Sequence, residues 1–399
     1  MDPIFPEPEL FLTPEGAFPQ GLACRRLTQD AVQKVDIVVP VHGQEEMTRQ
    51  FLESLKAFTD HPYRLIVVDN GSKDLDASLV EGFEDSLLIR SRENLGFAGG
   101  CNKGISEGRH PLVVVCNNDL IMTRGWLSRM VHALTSDPAI AVVAPCTNFG
   151  VETQEVDIGN FWDVESMHQR AQAFVAHYSR LVEDVSLVSG MCLLMKREIL
   201  DRIGSFDERF GLGNFEDNDL CVRIKNQGLR IVVARDVFIY HLGNRTFQAM
   251  ELDYKNLLET NHALFAEKWR HDHHIQGNRF EKEGDLERAL RAHMTSLKEG
   301  CLNPEPLLHA GLILLSLGKF SAAARSFRQY IERCPNSTRA RLGLGWAIYL
   351  GGDKRQGVSL MHAVLRHRYV REEVRKSIKE FTERMEAENP FSWNQYVKV

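Results

Sequence analysis

The chain has 399 residues, 43% of them hydrophobic and 26% charged, with a formal net charge of −6 at pH 7. This composition is that of an ordinary globular protein, and the length favours two domains. The acidic balance argues against nucleic acid as a partner, because nucleic-acid-binding proteins carry a basic surface.

Cysteine usage and the apolar runs bear on the compartment. The eight cysteines lie far apart and form no C-x-x-C pair, so the sequence predicts neither a zinc site nor a disulfide framework. No apolar run reaches the roughly 18 residues of a transmembrane helix, and the N-terminus does not resemble a signal peptide. We therefore expect a cytoplasmic protein without a transmembrane segment.

Four apolar runs in the first third of the chain each end in polar residues. They lie at Val35–Val41, at residues 64–68 and 87–90, and in the stretch 112–122, where the fourth run ends at Asp119. Such β-branched runs, separated by helix-length segments, predict right-handed βαβ crossovers and a parallel sheet. The polar loops should then lie along one edge, where α/β sheets bind ligands.

The second and third of these loops carry groups suited to a nucleotide. Asp69 could accept the imide N–H of uracil or thymine, although an aspartate at a strand end is also a common helix N-cap. The glycines of residues 96–104 would let the backbone approach a ligand, while Asn102 and Lys103 supply a donor and a charge suited to phosphate. The alternative for this stretch is a tight turn before a helix.

The fourth run ends in Asn117, Asn118 and Asp119. A carboxylate at this edge can hold a divalent cation, and the cation can neutralise a diphosphate. The carboxylate of Asp119 is therefore the first candidate metal ligand.

Further strands are predicted at residues 141–145, 187–196, 230–234 and 237–240, and residues 147–184 form either an insertion over the edge or a surface loop. Glu216, Asp217 and Asp219 follow a glycine-containing loop. They could be acids at a helix start, or one could be a general base held at a loop-to-helix junction. His241 ends the last strand, either as a structural histidine or as a metal ligand.

The order and spacing of these motifs resemble family 2 glycosyltransferases of the GT-A fold over about residues 34–245. The motifs that carry the resemblance are the strand with Pro40, VVDNGS at 67–72, ENLGFAGGCNKG at 93–104, NND at 117–119 and FEDNDL at 215–220. The resemblance implies an inverting enzyme that uses a nucleoside-diphosphate sugar with Mn²⁺ or Mg²⁺. Because Asp69 could accept the imide of either uracil or thymine, both UDP and dTDP are possible carriers.

The resemblance also implies roles for individual residues. Asp69 would bind the base, Asn102 or Lys103 would lie near ribose and diphosphate, Asp217 would be the catalytic base, and Asp119 and His241 would complete the metal site. Glu216 is the second catalytic candidate, and the remaining donor-binding candidates are Pro40, His42, Asn94, Gly96, Asn117 and Asn118. The family's metal motif is commonly Asp-x-Asp, and here Asn117 replaces its first acid.

Beyond about residue 250 the strand pattern ends and a repeat begins. Gly277, Gly311 and Gly345 recur every 34 residues, and so do Gly284, Gly318 and Gly352. The middle copy adds Ala323, Phe327 and Pro335, so the pattern resembles tetratricopeptide repeats. Such arrays form concave surfaces that hold peptides or proteins, although this one could instead serve packing or a homodimer.

The sequence thus predicts an α/β GT-A domain followed by an all-α repeat domain. Its parts are an arm at 1–33, the GT-A domain at 34–250, a linker helix at 251–275, the repeats at 276–375, and a capping helix and tail at 376–399. The expected function is transfer of a sugar to a protein or peptide held by the repeats. Alternatives are transfer to a polysaccharide or lipid-linked acceptor, or a non-catalytic scaffold, against which the retained Asp69, Asp119 and Asp217 argue.

Overall fold

The computed structural model describes residues 33–366, apart from residues 74, 152, 244–253, 270, 271, 300, 302 and 336. The chain divides into two compact units between Phe265 and Ala266, a boundary that falls within the predicted linker helix. Two predicted segments lie outside the described residues: the arm at 1–33, except for residue 33, and the tail at 376–399.

The first unit is built on an eight-stranded sheet with the order β3-β2-β1-β4-β8-β6-β9-β7. Its strands are β1 Val35–Val41, β2 Tyr63–Asn70, β3 Ser86–Ser91, β4 Leu112–Cys116, β6 Ile140–Cys146, β7 Val182–Val185, β8 Cys192–Lys196 and β9 Arg230–Phe238. Two short strands, β5 Leu120–Ile121 and β10 Tyr240–His241, pair separately and antiparallel. The sheet is mainly parallel, because only β7 and β8 run against their neighbours.

Helices cover both faces of this sheet, which is why its central strands are apolar without alternation. The helices of the first unit are α1 Glu45–Phe58, α2 Gly96–Glu107, α3 Trp126–Thr135, α4 Val164–His177, α5 Arg197–Ile203, α6 Glu216–Asn226 and α7 Tyr254–Trp269, whose last residues belong to the second unit. Along β1, Ile37 and Val39 pack into the core that contains Phe51 of α1, while Val38 packs into the opposite core with Ala98 of α2.

The predicted strand at Val35–Val41 and the predicted helix at Glu45–Phe58 are confirmed, and the other strands of the parallel half agree within a few residues. The predicted strand at 187–196 is wrong in its first half, since β8 begins only at Cys192. Residues 230–234 and 237–238 form one strand, β9, rather than two. The sequence reading missed α5 and β7.

The second unit is helical. Its described helices are α8 Asp272–Lys282, α9 Leu286–Lys298, α10 Glu305–Ser316, α11 Phe320–Arg333, α12 Thr338–Leu350 and α13 Lys354–Arg366. They form three helix pairs, and the turn within each pair contains one glycine with positive φ, at Gly284, Gly318 and Gly352. The 34-residue spacing of these glycines therefore corresponds to one helix pair. Among the described residues, no helix is long and apolar enough to cross a membrane.

Candidate active site

A pocket of about 460 Å³ opens at the carboxyl edge of the parallel strands. Ten of the thirteen predicted site residues line it: Pro40, His42, Asn94, Gly96, Asn117, Asn118, Asp119, Glu216, Asp217 and His241. Phe149, Gly150 and Val151, from the segment predicted as an insertion, line it too. The topology thus brings the ends of distant strands to one cavity, as expected for a sheet of this kind.

Asp119 and His241 form a buried pair in this pocket. The two-stranded ladder of β5 and β10 places them side by side, and Asp119 Oδ2 lies 3.2 Å from His241 Nε2. The other ring nitrogen, Nδ1, lies 2.8 Å from the carbonyl oxygen of Phe149 and must donate to it. The side chain of Asn148 bonds both the backbone N–H and the carbonyl of His241. The ring is therefore held with Nε2 turned towards the carboxylate.

This arrangement suits a cation. Burial lowers the pKa of His241, but the charge of Asp119 and its hydrogen bond outweigh burial and raise the pKa above its usual value. The second carboxylate oxygen, Asp119 Oδ1, is buried and has no hydrogen-bond partner among the described residues. An unpartnered buried acceptor next to an imidazole nitrogen is the kind of donor set that a divalent ion takes.

Asp217 lies in the first turn of α6, on another wall of the same pocket. Its Oδ2 accepts a hydrogen bond from the backbone N–H of Gly190 at 2.8 Å, and its Oδ1 accepts one from Asn218 at 2.8 Å. Burial raises the pKa of Asp217, although these hydrogen bonds act in the opposite direction. Each oxygen keeps a second lone pair, so the oriented carboxylate can still accept a proton.

Glu216 precedes Asp217 and is more deeply buried, with 5% of its surface exposed. Burial, and next the charge of Asp217, raise the pKa of Glu216 well above its usual range. Its Oε2 has no hydrogen-bond partner among the described residues. The two neighbouring acids are therefore unequal, and a proton is held more readily on Glu216.

The third acid of this group has a structural role. Asp219 is fully buried and accepts a hydrogen bond of 2.8 Å from Arg223, one turn later in α6. Arg223 in turn donates to the carbonyl of Ser205. This pair ties α6 to the end of α5, so Asp219 belongs to the scaffold that supports Asp217.

The loop before α6 is strained. Asn214 and Phe215 have φ values of 73° and 75°, a conformation that is costly for residues other than glycine. Side chains of α7 hold the loop: Asn261 Nδ2 lies 2.7 Å from the carbonyl oxygens of both Phe210 and Gly213, and the hydroxyl of Tyr254 bonds the side chain of Asn214. The position of the first turn of α6 thus depends on a helix that follows it in the chain.

The glycine-rich stretch begins with a close contact between two loops. The side-chain amide of Asn70, at the end of β2, donates to the carbonyl of Gly96, and its oxygen accepts from Leu95 N–H. Gly96 has a φ of 73°, and a Cβ there would lie 1.8 Å from the carbonyl oxygen of Gly211. Only glycine allows this approach, which joins the start of α2 to the loop before α6.

Asp69, Asn102 and Lys103 are not among the described residues that line the pocket. Asp69 is buried and accepts a hydrogen bond from Ser72 N–H. The amide of Asn102 is engaged by residues far away in sequence, since its Nδ2 donates to the carbonyl of Phe206 and to Glu208, and its oxygen accepts from Phe206 N–H. Asn102 therefore joins α2 to the segment after α5.

Sequence reasoning did not select Asn70, Gly190, Tyr254 or Asn261 as site residues. Asn70 belongs to the motif at 67–72 that carries the resemblance, so its neighbourhood was a signal, whereas Gly190 lies in a stretch predicted as a strand. For Asn261 there was none, because one polar residue in an amphipathic helix has no distinguishing pattern. Its role arises from three backbone carbonyls of a loop about fifty residues earlier.

Residues 36–204 match the family model described as "Glycosyl transferase family 2". This match spans β1 to α5 and therefore includes Asp119, while Asp217 and His241 lie beyond it. Over these residues the chain is similar to family 2 glycosyltransferases.

Individual proteins also show similarity to this chain. An uncharacterized protein of Sinorhizobium fredii is 27% identical over 220 residues, which are 52% of this chain and 24% of that protein. The N-acetylglucosaminyl-diphospho-decaprenol L-rhamnosyltransferase of Mycobacterium tuberculosis is 24% identical over 242 residues, 53% of this chain and 76% of the enzyme. A mannosyltransferase from Pyrobaculum calidifontis in complex with GDP-Man and Mn²⁺ aligns with a TM-score of 0.44 and 17% identity, covering 85% and 88% of the two chains.

The chain spans less than two thirds of the length of several curated relatives that it matches.

Proposed function

We propose that the chain is an inverting glycosyltransferase of the GT-A fold that transfers a sugar from a nucleoside-diphosphate sugar to an acceptor hydroxyl or other nucleophile. The observation that carries the proposal is the presence of two separate acidic groups on one pocket. The carboxylate of Asp217 is oriented by two backbone N–H groups, and the Asp119–His241 pair lies on another wall. The family match from 36 to 204 supports the same activity.

In the proposed reaction the acceptor nucleophile attacks the anomeric carbon from the face opposite the diphosphate. The new glycosidic bond forms as the bond from that carbon to the diphosphate oxygen breaks, and the acceptor proton moves to the carboxylate of Asp217. This residue acts as general base, for which a rigidly held carboxylate with a raised pKa is suited. No covalent enzyme intermediate is needed for inversion.

The leaving diphosphate requires charge stabilisation. Asp119 and His241 are the residues that would hold Mn²⁺ or Mg²⁺, and their unpartnered Oδ1 and oriented Nε2 fit such an ion. When bound, the ion supplies positive charge that neutralises the diphosphate. Because Asn117 stands where the family motif has its first acid, Asp119 is the single carboxylate of that motif.

The nucleotide is proposed to lie along the ends of β1, β2 and the start of α2. His42 is fixed there by a hydrogen bond between its Nδ1 and the carbonyl of Asn70, and Ser72 links Gly43 to Asp69. Asp69 remains the proposed partner of a uracil or thymine imide, so UDP and dTDP are both considered. The contacts of Asn102 support a structural role in place of the phosphate contact expected from its motif.

For the acceptor we propose a protein or peptide, held by the helix pairs of the second unit as a tetratricopeptide-like array. The 34-residue period of three helix pairs supports such an array. The compartment proposed is the cytoplasm, since all seven described cysteines are free buried thiols.

The second candidate is transfer to a lipid-linked or polysaccharide acceptor, with the helix pairs used for assembly, including a homodimer. The similarity to a rhamnosyltransferase whose name specifies a diphospho-decaprenol acceptor favours this alternative. Incubating the labelled donor with peptide extracts and, separately, with lipid extracts distinguishes the two, because label enters only the true acceptor class.

The test of the activity itself is nucleoside-diphosphate release from a panel of UDP- and dTDP-sugars, with Mn²⁺, with Mg²⁺ and with EDTA. We expect slow release from one donor that requires the metal. Equilibrium binding of UDP and dTDP is measured in parallel, because some transferases spare the donor until an acceptor binds. If neither nucleotide is bound and no donor is cleaved, the transferase proposal is wrong and a scaffold role replaces it.

A further inference from the structure

The second unit contains a cluster of three histidines and one glutamate that is separate from the pocket. His274 and Glu281 lie on α8, His293 on α9 and His309 on α10. His293 is fully buried and His274 is 6% exposed, while Glu281 and His309 are partly buried. The cluster therefore lies within the helix packing and is not part of a solvated surface.

Three side chains of the cluster converge on one point. Glu281 Oε1 lies 2.6 Å from His293 Nε2 and 2.8 Å from His309 Nδ1. One ligand atom from each of these three residues lies within 4.8 Å of the others. Tetrahedral ligands at about 2.1 Å from a shared ion are about 3.4 Å apart, so the three atoms need to separate only slightly to admit one.

The fourth residue is placed to orient one of the three. His274 Nδ1 lies 3.0 Å from His293 Nδ1, on the side of the ring away from Glu281. If His293 used Nε2 as a ligand atom, its Nδ1 would carry the proton and could donate it to His274. A second partner on the far ring nitrogen is the usual arrangement for a histidine that binds a metal.

The repeat itself shows that this cluster is not required by the fold. One period of 34 residues later, the corresponding positions are Leu308, Leu315, Phe327 and Gly343. Leu308, Leu315 and Phe327 are 2%, 4% and 0% exposed and belong to the apolar core of the unit. The same helix geometry is thus stabilised by apolar contacts in the second pair, whereas the first pair has polar groups that are costly to bury.

The backbone around the two sites is alike. A Cβ on Gly277 would lie 2.4 Å from the ring of His293, and a Cβ on Gly311 would lie 2.7 Å from the ring of Phe327. In both pairs a glycine therefore admits a ring from the next helix. The replacement of Phe by His at this place changes the chemistry of the core and leaves its packing geometry unchanged.

We propose that Glu281, His293 and His309 form a binding site for one divalent transition-metal ion, of which Zn²⁺ is the best match to two imidazoles and a carboxylate. His274 is a positioning residue for His293. Both imidazoles converge on one oxygen of Glu281, so one carboxylate oxygen and two imidazole nitrogens supply the donor set. The ion would join α8, α9 and α10, and so would fasten the first helix pair to the second.

The test is Zn²⁺ binding by the metal-free full-length chain, measured by calorimetry, with the thermal unfolding midpoint as a second readout. The Asp119→Asn background removes the carboxylate of the pocket, so that the two sites are not confused. We expect one Zn²⁺ per chain and a higher midpoint with the metal. His293→Gln keeps a hydrogen-bond donor near Glu281 but removes the imidazole, and we expect binding more than about tenfold weaker.

Two further variants complete the design. The first is a triple variant, Glu281→Leu/His293→Phe/His309→Gly, which places at the cluster the residues found one repeat later. We expect this variant to fold, to lose Zn²⁺ binding and to show no metal-dependent rise in the unfolding midpoint. His132→Gln removes an exposed histidine of α3 and should bind as the parent does. If the parent binds no Zn²⁺, or if His293→Gln and the transfer variant bind it as tightly as the parent, the proposal is overturned and the cluster is a hydrogen-bonded core only.

Discussion

Asp119 Oδ2 and His241 Nε2 lie 3.2 Å apart at the carboxyl edge of the sheet, although the two residues are separated by 122 positions in the chain. Because His241 Nδ1 donates to a carbonyl, a neutral imidazole would present a lone pair to a carboxylate. Two facing acceptors need a positive charge between them, supplied either by a proton on Nε2 or by a cation. This relationship leads to two tests of the pair.

Asp119→Asn should remove most of the metal dependence of donor binding, since the variant loses the only carboxylate that we assign to the ion. We expect the affinity for the nucleotide sugar in Mn²⁺ to fall to the value that the parent shows in EDTA. Calorimetric titration of UDP and dTDP with and without Mn²⁺ measures this. Retention of the full Mn²⁺ effect would mean that the ion is held elsewhere.

The same pair should make the metal-free protein sensitive to pH. The pKa of His241 is raised in the folded state, so its contact with Asp119 stabilises the fold below the unfolded pKa of about 6.5 and is lost as pH rises through the raised value. In EDTA, His241→Gln should therefore lower the free energy of unfolding more at about pH 6 than at about pH 9. Urea unfolding of the parent and the variant at both pH values measures this difference. If His241→Gln lowered the free energy of unfolding equally at the two pH values, a charged pair with Asp119 would be excluded.

Asp217→Asn should abolish transfer and leave donor binding nearly intact. The substitution removes the proton acceptor, and we expect kcat to fall by a factor on the order of 10² to 10⁴. The matched comparison is Glu216→Gln, which resembles the protonated form favoured by burial and should be milder. Transfer by Asp217→Asn at the parent rate would show that another group takes the proton.

The rate of transfer should also report the raised pKa of Asp217. Because a general base must be deprotonated, kcat/KM should fall as pH drops through that pKa. Burial raises it, so the loss should begin at a higher pH than the value of about 3.9 of a free aspartate would give. A pH–rate profile shows where kcat/KM falls on the acid side. If it falls at the pKa of a free aspartate, Asp217 is solvated in the working enzyme.

Gly96→Ala tests the contact between the two loops. The added Cβ would lie 1.8 Å from the carbonyl oxygen of Gly211, so the loops must separate and the donor side of the pocket should lose its shape. Gly43→Ala is the control, since Gly43 also has positive φ, at 63°, but nothing lies within 4 Å of the added atom. We expect Gly43→Ala to cost about 1–2 kcal/mol of stability and Gly96→Ala considerably more, with loss of nucleotide binding.

Equal effects of the two substitutions, measured by denaturant unfolding and nucleotide binding, would contradict this account. In that case the backbone conformation, and not the approach to Gly211, would be the important feature of Gly96.

Asn261→Leu tests the support of the strained loop. The variant removes the amide donor that the carbonyls of Phe210 and Gly213 share, although Phe210 keeps its bond from the N–H of Gly213, and the loss should cost about 1–3 kcal/mol of stability. Because the loop leads into Asp217, kcat should fall more than the affinity for the donor. Glu259→Gln, an exposed change on the same helix, should alter neither quantity. If kcat of Asn261→Leu is unchanged, the loop does not position the base.

Much of the first unit could be predicted from local patterns. A strand buried on both faces requires a continuous apolar run, so the bounds of β1 follow from composition alone. The alternation of such runs with helix-length segments placed the polar ends on one edge, and ten of the predicted residues meet in the pocket. The strand predicted at 187–196 is wrong in its first half. Leu187 and Gly190 lie in a loop that lines the pocket, and β8 begins only at Cys192.

Side-chain partners were less predictable. Asn102 was expected to face a ligand, yet its amide bonds the backbone of Phe206, 104 positions later. The converse holds for Asn261, which no pattern distinguished and which supports the loop before α6. The metal-type cluster around His293 was likewise missed, since its members are spread over three helices and match no short ligand motif.

The amino-acid sequence by itself determined the mainly parallel sheet, the 34-residue helix pairs and the identity of the acids at the sheet edge, because hydrophobic periodicity and turn glycines act over a few residues. The tertiary structure decided which polar groups are paired and which remain available. That choice depends on contacts between residues tens to hundreds of positions apart, such as Asp119 with His241 and Asn102 with Phe206, and local propensity does not encode them.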